Sequence, residues 1–205
     1  MDNFYSDSQR QLQDEFASRG LADRLAQFII QTHFDDAAQQ FVEEANFFFL
    51  SSVDANGFPT VSHKGGDPGF VKIIASNKLL FPCYDGNGMY FSAGNMAAHP
   101  QVGLLFINFE NPHRVRIQGH AELIRAPETL ALWPETALAV EVTVDKMWVN
   151  CPRYIQKMTP LTPAEHIPRD GVETPRPEWK SLDAIADVVP PLAHTLNKSE
   201  PSKDN

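Results

Sequence analysis

The hydrophobic period of the chain changes once, near Asn46. Before it, apolar residues fall at helical spacing, and "LADRLAQFII" puts Leu21, Leu25, Phe28 and Ile29 on one side of a helix. Ser6 and Gln9 have the spacing of a capping box. Asp35 or Asp36 can cap a third helix over "AAQQFVEEA". After Asn46 come short β-rich runs separated by turn clusters: "FFFLSSV", "FPTVSH", "GFVKIIA" and "KLLFPCY". Asp54-Ala55-Asn56-Gly57 predicts a hairpin, because Asn-Gly accepts the positive φ of a tight turn. A short helix is expected from Gly94 to His99. "VGLLFINFE" and "HRVRIQGHAELI" then read as a long antiparallel pair joined through Asn111-Pro112. In the second, Val115, Ile117 and Gly119 share one face and Arg114, Arg116 and Gln118 the other. Pro127 suits the first turn of a helix over "PETLALW", and "LAVEVTVDKMWVN" is a last long strand. Six or seven strands without βαβ spacing predict a mainly β (α+β) antiparallel barrel or sandwich.

The same pattern divides the chain into helices over 1–45, a β unit over 46–158 and a tail over 159–205. Eight of the sixteen prolines lie between Pro160 and Pro201, with one helical patch at "LDAIADVV". The tail is expected to be partly disordered or to wrap a partner subunit.

Composition narrows the function classes. With 205 residues and 42% apolar content, the chain can bury one core of ordinary size. No apolar run approaches the roughly 20 residues that span a bilayer. The polar, acidic start "MDNFYSDSQRQLQDEF" does not read as a secretory signal. Cys83 and Cys151 form no metal-binding pair, and the seven histidines are scattered, so no metal site is predicted. These features predict a cytoplasmic protein with free thiols and no membrane contact.

A net charge of -9 argues against nucleic acid, whose affinity comes from neutralising phosphates. The charge is uneven, however. From Ser51 to Arg125 there are six Lys/Arg (Lys64, Lys72, Lys78, Arg114, Arg116, Arg125) and five Asp/Glu (Asp54, Asp67, Asp85, Glu110, Glu122). That central stretch can hold a small anion.

Four short blocks carry candidate chemistry, and each also has an ordinary structural use. In "SHKGGDPGF", Lys64 and His63 adjoin Gly65-Gly66, where a bare backbone can approach a ligand; the same glycines can merely turn a hairpin. It is neither a P-loop nor GxGxxG. "YDGNGMYFSAGNMAAHP" puts Ser92, Gly94 and Asn95 at a helix start, which favours an anion, or simply caps a loop. Its Asp85-Gly86-Asn87 lacks the later carboxylates of a calcium loop. Arg114 and Arg116 form either a clamp or a solvated face. "WVNCPRYIQ" offers Trp148 or Tyr154 for stacking on a ring.

Taken in order, "GFPTVSHKGGDPGFVKI", "LLFPCYDGNGMYFSAGNMAAHPQVGLLFINFE", "HRVRIQGHAEL" and "NCPRYI" resemble the pyridoxamine 5′-phosphate oxidase-related, FMN-binding split-barrel family, over about Asn46 to Met158. The resemblance implies a six-stranded antiparallel split barrel and a homodimer with FMN in clefts between the subunits. It implies that Ser62, His63 and Lys64 contact the isoalloxazine and ribityl chain, and that Ser92 and Asn95 receive the phosphate. Arg114 would reach the flavin from the other subunit, with Arg153 and Tyr154 ending the barrel at the same cleft.

Two departures stand out. The Arg-Lys pair of true oxidases is replaced by Phe91-Ser92, and their C-terminal Arg/His pattern is not recognisable in the tail. The implied function is therefore an FMN-dependent oxidoreductase acting on a small-molecule substrate or electron donor, neither identified, with no catalytic acid or base named. The alternatives are a flavin- or haem-binding module without turnover, and an F420-dependent reductase on the same barrel.

Overall fold

The computed structural model describes residues 4–159 and 162–196; residues 160, 161 and 197–205 of the predicted tail lie outside the described residues, as do residues 1–3. Seven antiparallel strands form one sheet: β1 (Phe47–Val53), β2 (Pro59–Gly65), β3 (Lys72–Ala75), β4 (Lys78–Pro82), β5 (Gln101–Asn108), β6 (His113–Ile124) and β7 (Ala139–Val149). Their order is β2-β1-β5-β6-β7-β4-β3. The sheet is the split barrel that the resemblance implies, with seven strands rather than six. The shortest strand is β3, four residues at one edge that pair only with β4. It is short because Gly69, Phe70 and Val71 of the expected run precede the strand, with Phe70 and Val71 buried as packing.

Alternation places the core. Phe48, Leu50 and Ser52 of β1 point inward, as do Val115, Ile117, Gly119 and Ala121 of β6. Phe48 sits at the centre, its ring 4.9 Å from Phe106, 5.0 Å from Phe81 and 5.9 Å from Phe70. Gly119 is required where β7 bulges at Asp145 against β6, because a Cβ there would lie 2.2 Å from the Thr143 carbonyl oxygen. The β1–β2 loop is longer than a two-residue turn. The Asp54 carboxylate accepts from the N–H groups of Asn56 and Phe58, and Gly57 alone takes a positive φ, of 84°.

Three helices precede the sheet: α1 (Asp7–Glu15), α2 (Arg19–Ile29) and α3 (Asp36–Glu43). Both bonds of the Ser6–Gln9 capping box form, and Asp35 rather than Asp36 caps α3. Val42 of α3 joins the core. The apolar side of α2 does not: Leu21, Leu25 and Phe28 are 63%, 43% and 76% exposed. Helical spacing identifies a face but not what covers it. Between β4 and β5 stands α4 (Phe91–Ala98), and the helix expected at "PETLALW" is one turn, α5 (Pro127–Leu130). Among the described residues, no helix is long and apolar enough to cross a membrane.

The described part of the tail lies on the barrel. Arg169 donates two hydrogen bonds to the Asp67 carboxylate, at 2.6 and 2.8 Å, and Lys180 pairs with Asp85. The Arg169 guanidinium holds the Asp67 carboxyl below the usual carboxylate range, and partial burial opposes it. A depressed folded value means that the contact is complete above the ordinary Asp pKa of about 3.9 and is lost as pH falls through the lower folded value. Carbon-detected NMR titration should therefore place the Asp67 midpoint below 3.9, and Arg169→Ala should move it back up.

Candidate cofactor site

Strand parity divides the "VSHK" run. In the β1–β2 register Lys64 lies opposite Phe48, Ser62 opposite Leu50 and Thr60 opposite Ser52, all on the core-facing side. His63 lies opposite Phe49 on the outer side. Lys64 is half-buried, and among the described residues it has no hydrogen-bond or ion-pair partner. Its charge reaches Cys83 at the end of β4, whose thiol is pushed up by burial and pulled back by Lys64.

Helix α4 closes this inner side. Ser92 Oγ donates to Ser62 Oγ at 3.1 Å. Asn95, only 9% exposed, donates from Nδ2 to Ser52 Oγ at 3.1 Å and to Thr60 Oγ1 at 3.5 Å. This corrects the placement of Asn95 at the helix start. It is the fifth residue of α4, and its amide pins the helix to β1 and β2 instead of capping the first turn. The first turn itself has no side-chain cap, and Tyr90 ahead of it is left-handed, with φ 49°.

The glycine pair also has a different use from the one its chemistry suggests. A Cβ on Gly66 would lie 2.4 Å from the Phe70 ring, and the Gly66 N–H already donates to Asn46 O at 3.0 Å. Gly66 lets Phe70 enter the core. It does not present a free N–H.

The outer side gathers the remaining candidates near the β5–β6 turn. His63 stacks on Phe47 at 5.5 Å, and Phe47 stacks on Phe109 at 6.0 Å. Arg114 Nη2 donates to the Cys151 carbonyl at 3.0 Å. Arg114 Nε and Asn150 Oδ1 are buried atoms without a partner in this region, just beyond the Val115–Val149 pair. Arg153 lies 5.6 Å from the Tyr154 ring centroid, and Tyr154 is 85% exposed.

The structure thus divides the eight residues. Ser62, Lys64, Ser92 and Asn95 face inward; His63 and Arg114 face outward, and Arg153 and Tyr154 lie in the exposed segment after β7. No hydrogen bond joins the sets among the described residues. Sequence reasoning missed Cys83 and Asn150. The block "NCPRYI" begins at Asn150, and only the β6–β7 register shows that this residue lies beyond Val149, near Arg114. On the far side of α4 an open groove of about 400 Å³ is lined by Ala93, Gly94, Ala97, Leu123 and Arg125, among others. No group of three or more His, Cys, Asp or Glu among the described residues could hold a metal ion.

Residues 34–148, just over half of the chain, match the family described as pyridoxamine 5′-phosphate oxidase. The chain belongs to the pyridoxamine 5′-phosphate oxidase family. A candidate pyridoxamine 5′-phosphate oxidase from Lactobacillus delbrueckii is similar in structure at 20% identity, with a TM-score of 0.48 over 58% of this chain and 95% of that one. HupZ from Group A Streptococcus is 12% identical, with a TM-score of 0.46 over 57% and 94%. An F420 reductase is 17% identical, with a TM-score of 0.42 over 57% and 98%. No curated protein matches the sequence.

Proposed function

We propose that the protein is a cytoplasmic FMN-binding oxidoreductase acting as a homodimer on a small-molecule substrate or electron donor. The observation that carries this reading is Lys64, a half-buried cation with no counter-ion among the described residues. A charge withdrawn from water needs an opposite charge or several hydrogen bonds to offset its desolvation. An anionic cofactor beside Ser62 and Ser92 meets that need. The outward set contributes Arg114, whose Nη2 donates to the Cys151 carbonyl and whose Nε is buried without a partner.

These two sets lie on opposite faces of the sheet edge, so a second copy must supply one of them to a shared site. Phe47, Phe49, Leu105 and Ile107 give the outer face a half-exposed apolar surface, and Val61 is 70% exposed. Such a surface suits a second protomer. FMN would supply the redox chemistry when bound. The chain's own part is to place a cation, hydroxyls and aromatic rings around it and to exclude water. Lys64 favours the anionic form of whatever it faces.

Two measurements test the proposal. Light scattering should give about twice the 22.9 kDa chain mass. The purified protein should show flavin absorbance and release FMN by mass. A monomer carrying flavin would remove the shared cleft, and a Soret band or a released deazaflavin would replace FMN.

A further inference from the structure

The described tail is tied to the two loops on either side of Lys64. Asp67, held by Arg169, lies three residues after Lys64 in the β2–β3 loop. Asp85, held by Lys180, lies two residues after Cys83 and seven before Ser92. Lys180 is only 6% exposed, and its ammonium lies 5.6 Å from the Trp179 ring centroid. A lysine this deeply buried is rare unless paired, and breaking such a pair strands a charge in low dielectric.

The loop it meets is held at its start, where the Cys83 N–H donates to Leu138 O and Tyr84 packs against the Leu80–Trp133–Ala139 cluster, and loosens beyond Asp85. Residues 86–91 are exposed, Gly86 and Gly88 loosen the backbone, and the side-chain bonds within the loop are local ones between Asn87 and Met89. The other loop is anchored better: Gly69 N–H donates to Glu43 O, and Phe70 N–H to Asp67 O. Arg169 adds the long-range tie, 102 residues away in sequence.

We infer that Arg169 and Lys180 are positioning residues: the tail straps the 65–70 and 83–90 loops and thereby sets the spacing between Lys64 and Ser92. Where it concerns cofactor exchange, this rests on the FMN reading; where it concerns the loops, it does not. The two ties are charged and can be removed singly; salt weakens the half-exposed Arg169–Asp67 pair more than the buried Lys180–Asp85 pair.

The test uses amide hydrogen exchange on the full chain, freed of any bound flavin. Wild type is compared with Arg169→Ala, Lys180→Met and the exchanged pair Asp67→Arg/Arg169→Asp. Arg169→Ala should speed exchange in 65–70 by about tenfold, and Lys180→Met should do so in 83–90, with β5 and β6 unchanged. The exchanged pair should restore protection in 65–70. FMN release, followed by fluorescence after dilution, should quicken by a similar factor in the two single variants. Faster loop exchange in a chain that binds no flavin would support the strap and defeat the FMN reading. Unchanged loop exchange in both single variants would overturn the strap whatever the flavin does. If Lys180→Met does not fold, Arg169→Ala and the exchanged pair decide alone.

Discussion

Phe48→Ala is expected to lower the unfolding free energy by about 3–5 kcal/mol. Phe48 is fully buried near the start of β1, paired with Lys64 of β2 and one residue before the stretch that also pairs with β5. Three further aromatic rings surround it within 6 Å. Removing the ring deletes its transfer free energy and leaves a cavity that a strand paired on both sides cannot collapse to fill. Since domains of this size are stable by only about 5–15 kcal/mol, the variant should be close to unfolding at physiological temperature. Urea titration should show the midpoint falling with an unchanged slope. Leu12→Ala, on α1 and 54% exposed, should stay within about 0.5 kcal/mol of wild type. A loss below about 1 kcal/mol for Phe48→Ala would remove that residue from the core.

Lys64→Ala should weaken FMN binding about 10- to 150-fold, the equivalent of the roughly 1.5–3 kcal/mol of a charge-assisted hydrogen bond. The cofactor-free variant should be as stable as wild type or more so, because the substitution removes a half-buried charge without breaking any contact among the described residues. That combination separates a ligand-binding lysine from a structural one, which would lose stability and affinity together. Titration with riboflavin, which lacks the phosphate, locates the contact. If FMN weakens far more than riboflavin, Lys64 meets the phosphate; equal weakening places it at the ring or ribityl chain. Unchanged affinity for both would return Lys64 to the list of solvated cations and leave the cleft without its principal charge.

Much of the fold was legible because its signals are local. The parity of "HRVRIQGHAELI" is a property of consecutive residues, and Val115, Ile117 and Gly119 are buried together as the pattern requires. Capping at Ser6 and Asp35 involves residues three apart and was equally readable. The candidate site was less so. His63 and Lys64 are neighbours in the chain but face opposite sides of β2, a consequence of period-2 geometry that a block motif conceals. The sequence puts Asn95 at the helix start, whereas α4 begins at Phe91 and its register turns the amide toward Ser52 and Thr60.

By itself, then, the sequence determined most of the elements, their approximate ends, the two faces of β6 and, through the order of four blocks, the family. It could not determine what each face meets. Gly66 is explained by Phe70, four residues away but brought back by the loop; Lys180 is explained by Asp85, 95 residues earlier. The exposed stripe of α2 and the buried face of α3 have the same helical spacing and opposite burial. Periodicity follows from backbone geometry within a few residues, whereas burial, charge pairing and the division of the site into two faces follow from distances across the fold. Those distances exist only once the chain has closed on itself.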